Sequence, residues 1–290
     1  LKINGPLDVP VFERVFETLV ARHESLRTTF YADDDLVYQR IHPADAWSVS
    51  LVDLRDEDET SQQEHLKELA SQNTLTEFDL VEGPLFKVSL VQLRDDSQND
   101  SQIVLVNMHH IISDGWSVSV LLKEMLILYG AFSHGGDARV LPELPIQYGD
   151  YSVWQRNWLR GEVLQDQLDY WKTSLAGVPS FLRLPTDRPR PQIQTFNGAI
   201  HAFELPKTLR NDVESFCQSH NVTAYMVLLG AYQLLLSRYS GQDDICVGTP
   251  IAGRSHVETE NLIGFFVNGL PIRTRLDGNP NVSEFYERVR

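Results

Sequence analysis

Apolar positions change period several times along the chain, and each period names an element. Residues 9–23 place Val11, Phe12, Val15, Phe16, Leu19 and Val20 on one helical face, with Glu13, Arg14 and Glu17 off it. RTTFY at 27–31 and LVYQRIH at 36–42 read as paired strands around an acidic turn at 33–35. SVSLVDL at 48–54 predicts another strand, and the polar stretch 57–73 a helix. Gly83-Pro84 marks a turn before FKVSLVQL at 86–93, which alternates as a strand. The polar run at 94–102 reads as a solvated hairpin end, and QIVLVNMHH at 102–110 as a buried strand.

An amphipathic helix is predicted over 115–132, closed by Gly135-Gly136, and further helix over 150–175 with Trp154, Trp158, Leu168 and Trp171. LPTDRPRPQ at 184–192 carries three prolines and reads as an extended linker. The pattern then restarts: strand 199–205, helices 206–219 and 223–239, strand 245–251, and an apolar stretch at 263–273. Two α/β lobes follow from this, residues 1–175 and 199–290, joined by a linker at 176–198. The chain opens on Leu1 and closes on SEFYERVR, where Phe285 and Val289 recur at helical spacing with no stop signal. It is read as a fragment whose C-terminal lobe is incomplete and whose last helix and strand edges lack partners, so that the isolated chain is expected neither to fold cleanly nor to catalyse.

Composition narrows the classes. Lys and Arg number 25 against 40 Asp and Glu, a formal charge of −15. Such a chain is a poor partner for a nucleic-acid backbone or an anionic membrane. The apolar runs at 118–132 and 224–236 are broken by Lys123, Glu124 and Gln233, and both fall short of a bilayer span. Cys217 and Cys246 form no disulfide framework and suit a reducing, cytoplasmic compartment.

The segment that carries chemistry is Met108-His109-His110-Ile111-Ile112-Ser113-Asp114-Gly115-Trp116. On a continuous strand His110 shares a face with Met108, Val106 and Val104, while His109 shares the other with Asn107 and Leu105. One ion cannot then take both imidazoles, which argues against a metal site. His109 reads as a satisfied core histidine, and Asp114 or Ser113 as the cap of the following helix. His110 is the candidate catalytic group, as a general base, as an orienting hydrogen-bond acceptor or as a stabiliser of a charged intermediate. It ends a buried strand, an acid lies four residues on, and Gly115 permits close approach at a helix start. Tyr148, Tyr151 and Trp154 stand at helical spacing and read as core.

MHHIISDGWS resembles the HHxxxDG motif of the condensation domains of non-ribosomal peptide synthetases, within the chloramphenicol-acetyltransferase-like acyltransferases. RHESLRTTF at 22–30, YGDYSVWQ at 148–155 and IGFFVNGLPIR at 263–273 resemble the second, fourth and fifth core motifs of that family, in its order. The first motif and the last two are missing.

The resemblance implies two acyltransferase-like lobes in a V around a central tunnel. It implies an acyltransferase that transfers a donor acyl or peptidyl group from a thioester to the α-amine of an acceptor. Both substrates arrive on phosphopantetheine arms of donor and acceptor peptidyl carrier domains, beside an adenylation domain of the same polypeptide, and no cofactor is bound. Carried onto this sequence, His110 faces the tunnel and Gly115 brings a backbone N–H near the reacting centre. His109 supports the backbone, and Asp114 pairs with an arginine of the second motif, Arg22 or Arg27. Trp116 and Asn268 line the substrate channel. Ester formation, epimerisation of a tethered residue and a silent docking module are the rival readings.

Overall fold

Helix α1 starts where its cap permits. Asp8 Oδ1 accepts the N–H of Val11 at 3.0 Å, and Pro10 lies in the first turn, where its missing donor costs nothing. The computed structural model describes residues 1–5, 7–34, 36–44, 47–94, 100–189, 191–193, 195 and 198–290. In chain order its elements are β1 Lys2–Asn4, α1 Val9–Arg22, β2 Thr28–Asp33, β3 Leu36–Ile41, β4 Ser50–Asp53, α2 Glu59–Thr74, β5 Phe86–Arg94 and β6 Asp100–Met108. There follow α3 Gly115–Ser133, α4 Tyr148–Trp158, α5 Gly161–Ser174, α6 Lys207–His220, α7 Ala224–Ser240, β7 Asp244–Ile251, β8 Asn268–Arg275 and α8 Val282–Val289.

The chain divides into two units: Leu1–Leu159 with Ala252–Asn268, and Arg160–Ile251 with Gly269–Arg290. The predicted division at 176–198 differs from this, because a stretch assigned by sequence order to the second lobe is bonded into the first. Ser25 Oγ, for instance, donates to Ile263 O at 2.7 Å.

In the first unit the sheet order is β1-β6-β5-β4, with β1, β6 and β5 antiparallel and β4 parallel to β5. One sheet face takes the apolar stripes of α1 and α3. Phe12, Phe16, Leu19, Phe86, Leu90, Val104, Leu121 and Leu128 are all 1% exposed or less and form that core. On the opposite face Val91 and Leu93 pack with Leu66 and Leu69 of α2. The two-sided burial explains why β5 and β6 carry apolar residues at both parities.

Helix α3 begins a turn earlier than the run at 118–132. At 19 residues it is long and apolar enough to cross a membrane, a correction to the expectation that neither apolar run reaches that length. Its Val120, Leu121, Met125, Leu128 and Phe132 are buried in the core.

The second unit holds α5 to α8 and the two-stranded β7-β8 sheet. Phe285 and Val289, 7% and 8% exposed, pack against Leu229 and Met226 of α7, so the final helix has partners after all. The approach is close: a Cβ on Gly230 would lie 2.7 Å from the Tyr286 ring. The strand expected at 199–205 does not form. Those residues pair with no neighbour among the described residues, and Ile200 is 98% exposed. Residues 95–99 of the predicted hairpin end, Asp35 of the acidic turn, and residues 190, 194, 196 and 197 of the linker lie outside the described residues.

Candidate active site

Strand β6 ends at Met108, and the alternation that would send His110 into the core stops with it. His110–Ile112 form a 3-10 turn, which puts Ile112 in the core at 1% exposure and leaves His110 on the surface. The two histidines therefore do not stand on opposite faces of a strand, because the strand has already ended. His109 holds the turn. Its N–H donates to Leu85 O at 2.9 Å, and its Nδ1 accepts the N–H of Ile111 at 3.0 Å. Its ring meets Phe78 edge-on with centroids 5.9 Å apart. It is half-buried rather than a core residue. Among the described residues no group of three His, Cys, Asp or Glu side chains is placed to hold a metal ion.

Asp114 caps α3, accepting the Ser117 N–H at 2.8 Å, and its Oδ1 lies 2.7 Å from the Ser117 hydroxyl. Its Oδ2 accepts from the N–H groups of Phe266 and Val267 at 3.0 and 3.2 Å. Its cationic partner is Arg254, 3.2 Å from Oδ1, with the two side chains 1% and 2% exposed. Burial pushes the Asp114 carboxyl up, but hydrogen bonds from the Ser117 hydroxyl and N–H and from Phe266, with the Arg254 charge, outweigh it and hold the group below the ordinary carboxylate range. Arg254 also donates to Leu262 O at 2.8 Å and to Thr259 O, and lies 4.0 Å from the Phe266 ring centroid.

This corrects the expected pairing of Asp114 with Arg22 or Arg27. Arg22 instead binds Glu124 through Nε at 3.1 Å. Arg27 donates to His42 O at 2.6 Å and Val20 O at 3.2 Å. Arg254 escaped the sequence reading because it stands 140 residues from its carboxylate. The one local signal is Gly253 before it, at φ +67°, where a Cβ would lie 2.0 Å from Phe266 O.

The same segment, 252–268, also holds Trp116 and Tyr148. Trp116 Nε1 donates to Glu260 O at 2.8 Å, and its ring is 46% exposed. Gly264 is needed for close approach, since a Cβ there would lie 2.2 Å from the Tyr148 ring. The Tyr148 hydroxyl donates to Phe265 O at 2.9 Å, and burial pushes its pKa up to about 12. Tyr148 and Tyr151 pack on Phe266 but are half-buried rather than core residues, and Trp154 is 41% exposed against Trp158 and His256, a correction to the expectation that all three are core. Gly115 is exposed, and beyond its chain neighbours and its own helix backbone no atom lies within 4 Å of where its Cβ would stand. Asn268 opens β8 and is exposed.

The condensation-domain family model matches residues 1–290, the whole chain. The chain belongs to the condensation-domain family. This domain is 45% identical over 289 residues to a linear gramicidin synthase polypeptide of Brevibacillus parabrevis, all of this chain but 4% of that protein's length. Among solved structures it is similar to the X-domain from teicoplanin biosynthesis, with a TM-score of 0.84 and 27% identity over 99% of this chain and 62% of that one. The epimerization domain of the third module of tyrocidine synthetase B shares the fold, with a TM-score of 0.85 at 19% identity over 100% of this chain and 65% of that one. The mixed α/β fold of the chain is thus the chloramphenicol-acetyltransferase-like fold of condensation domains, the class expected from the motifs.

Proposed function

We propose that this condensation domain forms a peptide bond between a donor acyl or peptidyl thioester and an acceptor α-amine, both tethered by phosphopantetheine to carrier domains, beside an adenylation domain of the same polypeptide. The observation that carries the reading is His110: an exposed imidazole without a hydrogen bond among the described residues, on a turn held from both ends. His109 fixes the turn's start, and Asp114 fixes the helix that follows it.

The chemistry asks little more. A free α-amine has a pKa of about 7.7–8.0, so roughly a tenth is neutral at pH 7. Its nitrogen attacks the thioester carbonyl. The new C–N bond forms, the C–S bond breaks, and the proton shed by the amine ends on the departing thiol. Holding the two arms together supplies effective molarities of about 10⁵–10⁸ M. A positioned base adds about 10²–10⁴-fold. His110 supplies that function as neutral imidazole, accepting the amine proton or orienting the amine by a hydrogen bond. Asp114 does not relay to it, since both carboxylate oxygens are filled by Ser117, Phe266, Val267 and Arg254. The open space over Gly115 leaves the start of α3 accessible to a carbonyl oxygen, where helix N–H groups favour developing negative charge.

The test is an intact module carrying both loaded carriers. Dipeptidyl thioester is the expected product, and His110→Ala should cut its rate by about 10²–10⁴-fold. An ester product, or inversion of a tethered residue without bond formation, identifies one of the related activities. No product with any carrier pair, though the two carriers still bind, identifies a docking module.

A further inference from the structure

Phe265 stands on the most firmly held backbone of the site, yet its ring is 41% exposed. Four successive residues are tied down. Gly264 N–H donates to the Ser117 hydroxyl at 3.1 Å, Phe265 O accepts from Tyr148, and the N–H groups of Phe266 and Val267 bind Asp114. The neighbouring ring, Phe266, is 4% exposed beneath Arg254 and explains itself as packing. Phe265 does not, because an exposed apolar ring on a rigid backbone gains little from burial. What it touches is His110: the two ring centroids are 5.1 Å apart with the planes at 71°. Among the described residues the His110 ring makes this edge contact and no hydrogen bond, unlike the ring of His109. An imidazole free to change rotamer spends much of its time out of reach of the proton it must accept, which requires about 2.6–3.2 Å.

We infer that Phe265 is a positioning residue for the condensation reaction, acting through His110 by holding its imidazole edge-on in a single orientation. The inference rests on the condensation reading and narrows it. The carboxylate of Asp114 registers both partners, since it caps the helix that follows the His110 turn and also anchors the backbone that carries Phe265.

The experiment uses the intact module and four variants: Phe265→Leu, Phe265→Tyr, His110→Ala and the double variant Phe265→Leu/His110→Ala. Phe265→Leu should lose about tenfold to a hundredfold in kcat with KM for the carriers unchanged, the scale expected of a small misplacement of a catalytic group. Phe265→Tyr, which keeps the ring, should stay near the wild-type rate. Once His110 is gone, Phe265→Leu should cost nothing further, because the two residues act as one unit. A wild-type rate in Phe265→Leu, or an equal loss with and without His110, overturns the inference. A second readout does not depend on turnover. The His110 ring-proton resonances of this chain, assigned by their loss in His110→Gln, should shift in Phe265→Leu; unchanged resonances also overturn it. If the wild-type module makes no dipeptidyl thioester, or His110→Ala equals it, the condensation reading itself has failed, and the resonance arm still decides whether the rings are coupled.

Discussion

Asp114 commits both oxygens to neighbours and none to chemistry, and its energetic weight lies in the charge it neutralises. With Arg254 1% exposed, removing the carboxylate strands a buried guanidinium, at a cost of about 3–5 kcal/mol. Asp114→Asn should therefore lower the melting temperature, by on the order of 10 °C, as well as the rate. Calorimetry decides this: a variant that melts with the wild type yet is inactive assigns the carboxylate a direct part in catalysis. The residues of the site were unequally legible in the sequence. His110, Asp114 and Gly115 announce themselves because they lie within seven positions of one another, inside a single turn and cap. Arg254 and Phe265 do not, because each meets the motif through a contact across more than a hundred residues, and neither alternation nor spacing encodes that. The orientation of His110 is hidden for a different reason. Period-2 alternation holds only while the strand lasts, and a 3-10 turn replaces it at the position that matters.

Helices α1 and α3 are joined at one end by a buried polar cluster. His23, the residue after α1, is 1% exposed and lies 2.7 Å from Glu124 of α3, which also binds Arg22. Burial holds the His23 imidazole below its ordinary value of 6.5, and its contact with Glu124 only partly offsets this. The unfolded chain then binds a proton first as pH falls. Stability should be level above about pH 6.5 and decline below it, toward the lower pKa of the folded state. Thermal melts of wild type and His23→Gln between about pH 7.5 and 5 test this, and identical slopes in the two proteins would refute it. At this scale the sequence was informative wherever one face is buried. The stripe of α1 and the strands β5 and β6 follow the hydrophobic pattern closely, because each meets a core. Residues 199–205 alternate as well, but a strand also needs a hydrogen-bonding neighbour, and pattern alone supplies none.

For the molecule as a whole, the described residues of the stretch 185–205 form no hydrogen bond, and Ile193, Ile200 and Phe203 within it are 82%, 98% and 75% exposed. It overlaps the linker expected at 176–198. Brief digestion with chymotrypsin should cut there first, at Phe203, and mass spectrometry of the earliest products should show it; first cuts inside α1, α3 or α7 would contradict the assignment. The two units are not cut apart so simply in time. Asp114 and the N–H of Phe266 are 152 residues apart, and the chain between them includes most of the second unit. At about 5–20 residues per second, a ribosome that has delivered Asp114 needs on the order of 8–30 s to deliver its partner. Until Arg254 follows, 140 residues after Asp114, the nascent α3 carries an uncompensated carboxylate at its start, and His110 still lacks Phe265. The site closes only after the polypeptide has left the first unit and returned, so its assembly is a late checkpoint on synthesis, reached only by chains already long enough to hold most of both units.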